Sequence, residues 1–224
     1  MAKTILTPKQ SQFLKLVQVE PQITKWFYLT GGTALSEFYL KHRLSEDLDF
    51  FSENREVDQK LVDAFLKKIS PKLRIGKIKR SVFLGLVSYY LIYKDGKKLK
   101  VDFNYYPFPR IEKGQKISNL VVDSMHDIAA NKMHTIFMKP RDRDYLDLYF
   151  IIQKEKYSIQ KLIIDAKTKF DWHIDKLTLA SQFLRVKDIK TLETPRLLVP
   201  FHKKKLDNFF LEEATKLQSD IFKA

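Results

Sequence analysis

The chain has 224 residues, with 41 Lys+Arg against 27 Asp+Glu and a formal net charge of +14. Its 44% hydrophobic and 13% aromatic content supplies a core and excludes global disorder. Cysteine is absent, which excludes disulfides, cysteine-held zinc and thiol nucleophiles, and no run approaches the roughly 18–20 apolar residues of a membrane helix. The first twelve residues contain no apolar segment of the kind a secretory signal needs, so a cytoplasmic protein without a membrane partner is expected.

In chain order, residues 11–19 have helical periodicity and break at Pro21. Residues 26–29 form a short apolar run ended by Gly31-Gly32, which predicts a strand and a turn. Leu35, Phe38 and Tyr39 recur at helical spacing within 33–42, and residues 47–51 alternate as a strand does. An amphipathic helix follows over 57–69, stopped by Pro71. Residues 72–80 alternate basic and apolar side chains, and a parity flip at Gly76 predicts a bulged strand. Strands over 82–93 and 98–105 flank Asp95-Gly96, a tight hairpin signal. Beyond about residue 119 the pattern turns helical, over 123–138, 143–154, 158–168 and 175–184. A Pro-bounded linker over 193–200 leads to a helix over 202–222, with Leu206, Phe209, Phe210, Ala214, Leu217 and Ile221 on one face. The fold class expected is α/β of the α+β kind: a mixed sheet flanked by helices over 1–118, and a helical region over 119–224.

The chemistry concentrates in two segments. Asp47 and Asp49 share one face of their strand, opposite Leu48 and Phe50. Adjacent carboxylates repel unless a cation lies between them, and a divalent metal is the usual solution. The Gly31-Gly32 turn exposes backbone N–H groups to a phosphate, and Thr33 adds a hydroxyl. Lys100, Asp102 and Asn104 alternate with Val101 and Phe103, so a third carboxylate converges if that strand lies beside Asp47 and Asp49. A phosphate cradle followed by a carboxylate pair is what metal-dependent phosphoryl or nucleotidyl transfer requires. Farther on, Lys132 lies within the apolar stripe of its helix, and Asp147 is the polar interruption of another. Two readings stand for them: an internal ion pair, or a lysine directed at phosphates with an aspartate in the catalytic centre. Arg143 and Asp144 are neighbours able to share either duty.

GGTAL (31–35), a helix, and then HRLSEDLDFF (42–51) resemble the nucleotidyltransferase AbiEii/AbiGii toxin family, which includes the MenA-like toxins. DIAANK (127–132) and RDYLDLY (143–149) are similar to that family's second block. The resemblance implies a polymerase-beta-type nucleotidyltransferase fold, a divalent metal (Mg²⁺ or Mn²⁺) and an NTP substrate. Together with the reading of the residues, which adds Asp102, it gives metal binding by Asp47, Asp49 and Asp102, phosphate contacts from Gly31, Gly32, Thr33, Arg43, Ser45 and Lys132, and a catalytic place for the three aspartates, Lys132 and Asp147. It further implies a toxin role with a cognate antitoxin, and an RNA acceptor such as the 3′ end of tRNA. The alternatives are a same-fold enzyme that modifies a protein or an antibiotic, and a non-catalytic binding module.

The basic charge is uneven. Eleven Lys+Arg and one acid, Asp95, lie between Lys67 and Lys100. Lys72, Arg74, Lys77, Lys79 and Arg80 are therefore candidates for an RNA track, with a solvated edge strand protected by lysines as the competing reading.

Overall fold

The computed structural model describes residues 4–189 and 196–222, with side chains through residue 219. Residues 193–195 of the expected linker and the side chain of Ile221 lie outside the described residues. The chain forms two compact units, residues 1–109 with 113–124, and residues 110–112 with 125–224.

The first unit runs α1 (Pro8–Val17), α2 (Pro21–Thr24), β1 (Tyr28–Thr30) and α3 (Gly31–Leu35), which passes into a π-helical turn, Ser36–Leu40. β2 (Leu48–Ser52), α4 (Gln59–Leu73), β3 (Ile75–Phe83), β4 (Leu86–Tyr93), β5 (Lys98–Tyr105), β6 (Gln115–Ile117) and β7 (Leu120–Val122) follow. The strands form one mixed sheet in the order β3-β4-β5-β2-β1-β7-β6. β2 lies centrally, antiparallel to β1 and parallel to β5.

Alternation fixes which face of β2 is apolar. Leu48 and Phe50 are fully buried, and Phe50 stacks on Phe103 of β5 at 5.2 Å. Phe13 of α1 closes on Phe50 at 6.3 Å and on Phe65 of α4 at 6.0 Å. Asp49 and Asp102 consequently point to the other face. α1 starts at a capping box, in which the Thr7 hydroxyl accepts from the Gln10 N–H and the Gln10 side chain accepts from the Thr7 N–H. The Gln10 amide also donates to the carbonyls of Ser45 and Glu46 at 2.8 and 3.0 Å, anchoring the chain just ahead of Asp47.

Several elements differ from their expected bounds. α4 continues through Pro71 to Leu73, because burying Leu73 rewards another turn, and Arg74 ends it at φ 56°. Lys72 and Arg74 therefore belong to a helix end and its cap, and the strand begins at Ile75. Its bulge lies between Ile75 and Lys77, at the Gly76 parity flip. Val82 and Phe83 belong to β3, since the chain reverses at Leu84-Gly85 (φ 44° and 81°). The apolar run through that turn conceals it. β6 and β7 were not anticipated, because three-residue strands carry too little alternation to register.

The second unit comprises α5 (Met125–Met138), α6 (Asp142–Glu155), α7 (Ile159–Phe170), α8 (Lys176–Leu184) with a 3₁₀ turn Arg185–Asp188, and α9 (Lys203–Phe222). Ser158 and Asp175 cap α7 and α8 by accepting from the N–H groups of Lys161 and Thr178. Leu206, Phe210, Ala214 and Leu217 of α9 are fully buried, with Phe210 packed against Tyr145 at 5.2 Å and Phe183 at 5.1 Å. Residues 110–112 join this unit through Asp127, whose carboxylate accepts from the N–H groups of Ile111 and Glu112 and pairs with buried Lys169 at 2.7 Å. Among the described residues no helix is long and apolar enough to cross a membrane.

Candidate active site

Register brings the expected residues of the first unit together. Thr30 of β1 stands opposite Asp49 of β2, and Asp49 stands beside Asp102 of β5. The glycine turn that follows Thr30 thus lies against the Asp49 carboxylate. Gly31 has φ 74°, and a Cβ there would collide with Asp49 Oδ2 and lie 3.0 Å from its Cγ. Glycine is required twice at this point, for the backbone conformation and for the approach. A Cβ on Gly32 would meet the Arg43 guanidinium and approach Ser45 Oγ to 3.1 Å. Arg43 is buried, and its Nη1 donates to the Leu44 carbonyl at 3.0 Å. The Thr33 hydroxyl donates to the Asp47 carbonyl, tying the turn to the segment that carries the first carboxylate. Thr30 Oγ1 donates to Asp123 Oδ2 at 2.7 Å and steadies the end of β1.

Lys100 enters this cluster from the same face of β5 as Asp102. Its ammonium lies 2.6 Å from Asp102 Oδ2 and 3.5 Å from Asp47 Oδ2. Burial works against the ammonium, but the hydrogen bond to Asp102 and the charges of Asp102, Asp47 and Asp49 outweigh it and raise the Lys100 pKa. Sequence reasoning placed Lys100 on the strand face of Asp102 without giving it a role. The period-two alternation already carried that signal.

The donor set suits a hard divalent cation, since Asp47, Asp49 and Asp102 offer carboxylate oxygens alone. Asp102 Oδ1 is buried and has no hydrogen-bond partner, a polar atom placed for a ligand. Among the described residues, no group of three or more His, Cys, Asp or Glu side chains stands ready-formed around a metal position. Lys100 places a positive charge between Asp102 and Asp47.

The polar cluster of the second unit is an ion-pair network. Lys132 lies 2.7 Å from Asp144 and 2.8 Å from Asp147, and both carboxylates are fully buried. Arg141 adds a pair to Asp144 at 3.0 Å, while half-buried Arg143 takes part in neither pair. Burial acts to raise the Asp144 pKa, but the charge of Lys132 and the hydrogen bond from Arg141 outweigh it and lower it. His126, which showed no metal-ligand spacing, lies between two carboxylates, 2.8 Å from Glu112 and 2.7 Å from Asp165.

The basic residues of 72–80 are all exposed. They do not share one face of a strand. Lys77 and Lys79 do, whereas Arg80 points the other way and pairs with Asp63 of α4 at 2.7 Å. The hairpin tip beyond them exposes Phe83 and Leu84.

Comparison with known proteins completes the description. The model of the nucleotidyl transferase AbiEii toxin family, type IV toxin–antitoxin system, matches residues 15–220. An uncharacterized Aquifex aeolicus protein, aq_aa25, is 33% identical over 147 residues, 64% of this chain and 66% of that one. The match thus spans just under two thirds of that relative's length. The crystal structure of JHP933 from Helicobacter pylori is similar, with TM-score 0.57 and 18% identity over 97% of this chain and 95% of that one. A candidate nucleotidyltransferase of H. pylori gives TM-score 0.59 and 20% identity over 97% and 98% of the two chains. At such identities these two likenesses bear on the fold, which is that of a nucleotidyltransferase. The match over residues 15–220 shows that the chain belongs to the AbiEii nucleotidyltransferase toxin family of type IV toxin–antitoxin systems.

Proposed function

We propose that the protein transfers a nucleotide from an NTP to an RNA acceptor, with the 3′ end of tRNA as the acceptor of choice, and acts as the toxin of a toxin–antitoxin pair in the cytoplasm. The observation that carries this reading is the register Thr30–Asp49–Asp102, which sets a glycine turn against a carboxylate cluster. In the reaction, an acceptor hydroxyl oxygen bonds to the α-phosphorus, the bond to the bridging oxygen breaks, and pyrophosphate leaves. The hydroxyl proton passes to solvent or to Asp102.

The turn after Thr30 would offer its backbone N–H groups to the phosphates, while the missing Cβ atoms of Gly31 and Gly32 leave room for the Asp49 carboxylate and the Arg43 guanidinium that flank it. With the Thr33 hydroxyl engaged by Asp47, Thr33 serves the cradle through its backbone and by fixing the turn. Arg43 and Ser45 support the turn from behind Gly32. Asp47, Asp49 and Asp102 would hold Mg²⁺ or Mn²⁺, which when bound offsets charge on the phosphates and lowers the pKa of the attacking hydroxyl. For Lys132 and Asp147, which with Asp144 form the ion-pair network of the second unit, the proposal keeps the catalytic role that the family resemblance implies. Lys77 and Lys79, which share a strand face, supply the acceptor track, without Lys72, Arg74 and Arg80, and a cognate antitoxin is the protein partner.

A panel of radiolabelled NTPs, offered with total RNA, protein or aminoglycoside-type acceptors in Mg²⁺, tests the reading. Label in RNA, lost in Asp47→Ala and Asp49→Ala variants that remain folded, is the expected outcome. Label in protein or drug alone would move the acceptor to those classes. Unchanged incorporation by both variants would end the assignment.

A further inference from the structure

The carboxylate cluster already contains a cation, and it belongs to the chain. Lys100 Nζ is 2.6 Å from Asp102 Oδ2 and 3.5 Å from Asp47 Oδ2, and the Asp49 charge also acts on it. The side chains of Lys100 and Asp47 are 29% and 32% exposed against 9% for that of Asp102, so the cluster reaches solvent at Lys100 and Asp47 and is closed at Asp102. Asp102 is held differently by its two oxygens: Oδ2 bonds Lys100, while Oδ1 is buried and unpartnered. The neighbouring wall is rigid, since Asp49 abuts Gly31 and the turn is tied to the Asp47 carbonyl by Thr33. Three carboxylates confined in this way repel one another unless positive charge remains among them.

We infer that Lys100 is a resident counter-cation, a positioning residue whose ammonium keeps Asp47, Asp49 and Asp102 gathered until a divalent cation replaces it. The inference rests on the metal-dependent reading of the site proposed above. No bond is made or broken. The ammonium leaves Asp102 Oδ2, swings toward solvent on its flexible four-carbon stem, and frees that oxygen for the arriving metal. Two consequences follow. Lys100 lowers metal affinity, because each binding event must break its ion pairs. It also stabilises the metal-free protein, because the carboxylates are never left alone together.

The test uses the full chain and Mn²⁺ alone, with binding read by calorimetry or by the paramagnetic signal of free Mn²⁺. Lys100→Met keeps the length of the side chain and removes its charge. It should bind Mn²⁺ at least about tenfold more tightly than the unaltered protein, as expected when one contact charge is removed. Its unfolding temperature in chelator should fall, and Mn²⁺ should raise it by more than it raises that of the unaltered protein. Lys100→Arg, which preserves the charge, should gain no affinity.

An independent arm needs no variant. Lys100 should resist an amine-acylating reagent in chelator and become reactive with Mn²⁺, as read by mass spectrometry against exposed Lys77. Binding of Mn²⁺ to the unaltered protein, with Lys100 equally protected throughout or with Lys100→Met no tighter, would overturn the role of Lys100 and leave the metal site standing. Failure of both proteins to bind Mn²⁺ would overturn the metal reading itself, and the inference with it.

Discussion

Replacing Gly31 by Ala tests the site at its narrowest point. Gly31 has φ 74°, and an added Cβ would collide with Asp49 Oδ2 while standing 3.0 Å from Cγ and 3.2 Å from Cβ of the same residue. Two penalties arise. A left-handed backbone costs a non-glycine residue about 1–2 kcal/mol. The second penalty is geometric: Asp49 cannot escape by moving only the end of its side chain, since its own Cβ is also close, so the carboxylate must leave its place beside Asp102. A displacement of that order in a reacting group lowers rate by about a hundredfold or more. Gly96 provides the control, because it has φ 79° and open space where a Cβ would be. Gly96→Ala carries the same backbone strain without the collision. In urea denaturation Gly96→Ala should lose about 1–2 kcal/mol and Gly31→Ala at least as much, whereas in the labelled-NTP assay Gly31→Ala alone should lose transfer. Equal activities in the two variants would refute the claim that the close approach of Gly31 holds the Asp49 carboxylate in place.

Lys132→Met leaves the buried carboxylates of Asp144 and Asp147 without that ammonium, and should cost about 3 kcal/mol or more in urea denaturation; an unchanged midpoint would contradict the network. Paired Lys77→Ala and Lys79→Ala substitutions should weaken RNA binding across sequences and reduce the salt dependence by about 0.7 per lost contact on a single strand, read by filter binding at several salt concentrations. An unaltered slope would remove these lysines from the acceptor track. Burial opposes the His126 imidazolium, but hydrogen bonds to Asp165 and Glu112 outweigh it and raise the pKa above 6.5, with Lys161 nearby as the opposing charge. A raised folded-state value means that the stabilisation is complete below the unfolded value and fades as pH rises through the folded one. Thermal unfolding should therefore show stability falling as pH rises above about 6.5, the unperturbed histidine value, and His126→Gln should flatten that fall; parallel profiles for the two proteins would refute it.

Much of the first unit was legible in the sequence because its strands obey period two. Asp47, Asp49 and Asp102 were separated from Leu48, Phe50 and Phe103 by alternation alone, and the parallel pairing of β2 with β5 then set Asp49 beside Asp102. Elements that failed to show were those governed by tertiary contacts. Burial of Leu73 carried α4 past Pro71, which moved Lys72 and Arg74 off the strand. The reversal at Leu84-Gly85 was hidden within an apolar run, and β6 and β7 depend on their sheet neighbours more than on their own pattern.

At the site, residue types and faces were readable, but partners were not. Spacing gave Lys132 and Asp147 as either an ion pair or part of a catalytic centre. The structure supplies the pair, with Asp144 and Arg141 included. Thr33 read as a phosphate-directed hydroxyl, yet the Asp47 carbonyl is within its reach and occupies it. Lys100 stood on the acidic face in plain view. Its meaning emerged only once β2 and β5 were adjacent, because a lysine on an isolated strand is indistinguishable from a solvated one.

The central claim is nucleotidyl transfer at the Asp47–Asp49–Asp102 cluster, and the position of the label tests it most directly. With total RNA and Mg²⁺, label at the α-phosphate of an NTP should enter RNA, while label at the γ-phosphate of the same NTP should appear in released pyrophosphate. Both signals should vanish with Asp49→Ala. Transfer of the γ-label to an acceptor, or α-label incorporation that persists in Asp49→Ala, would contradict the account.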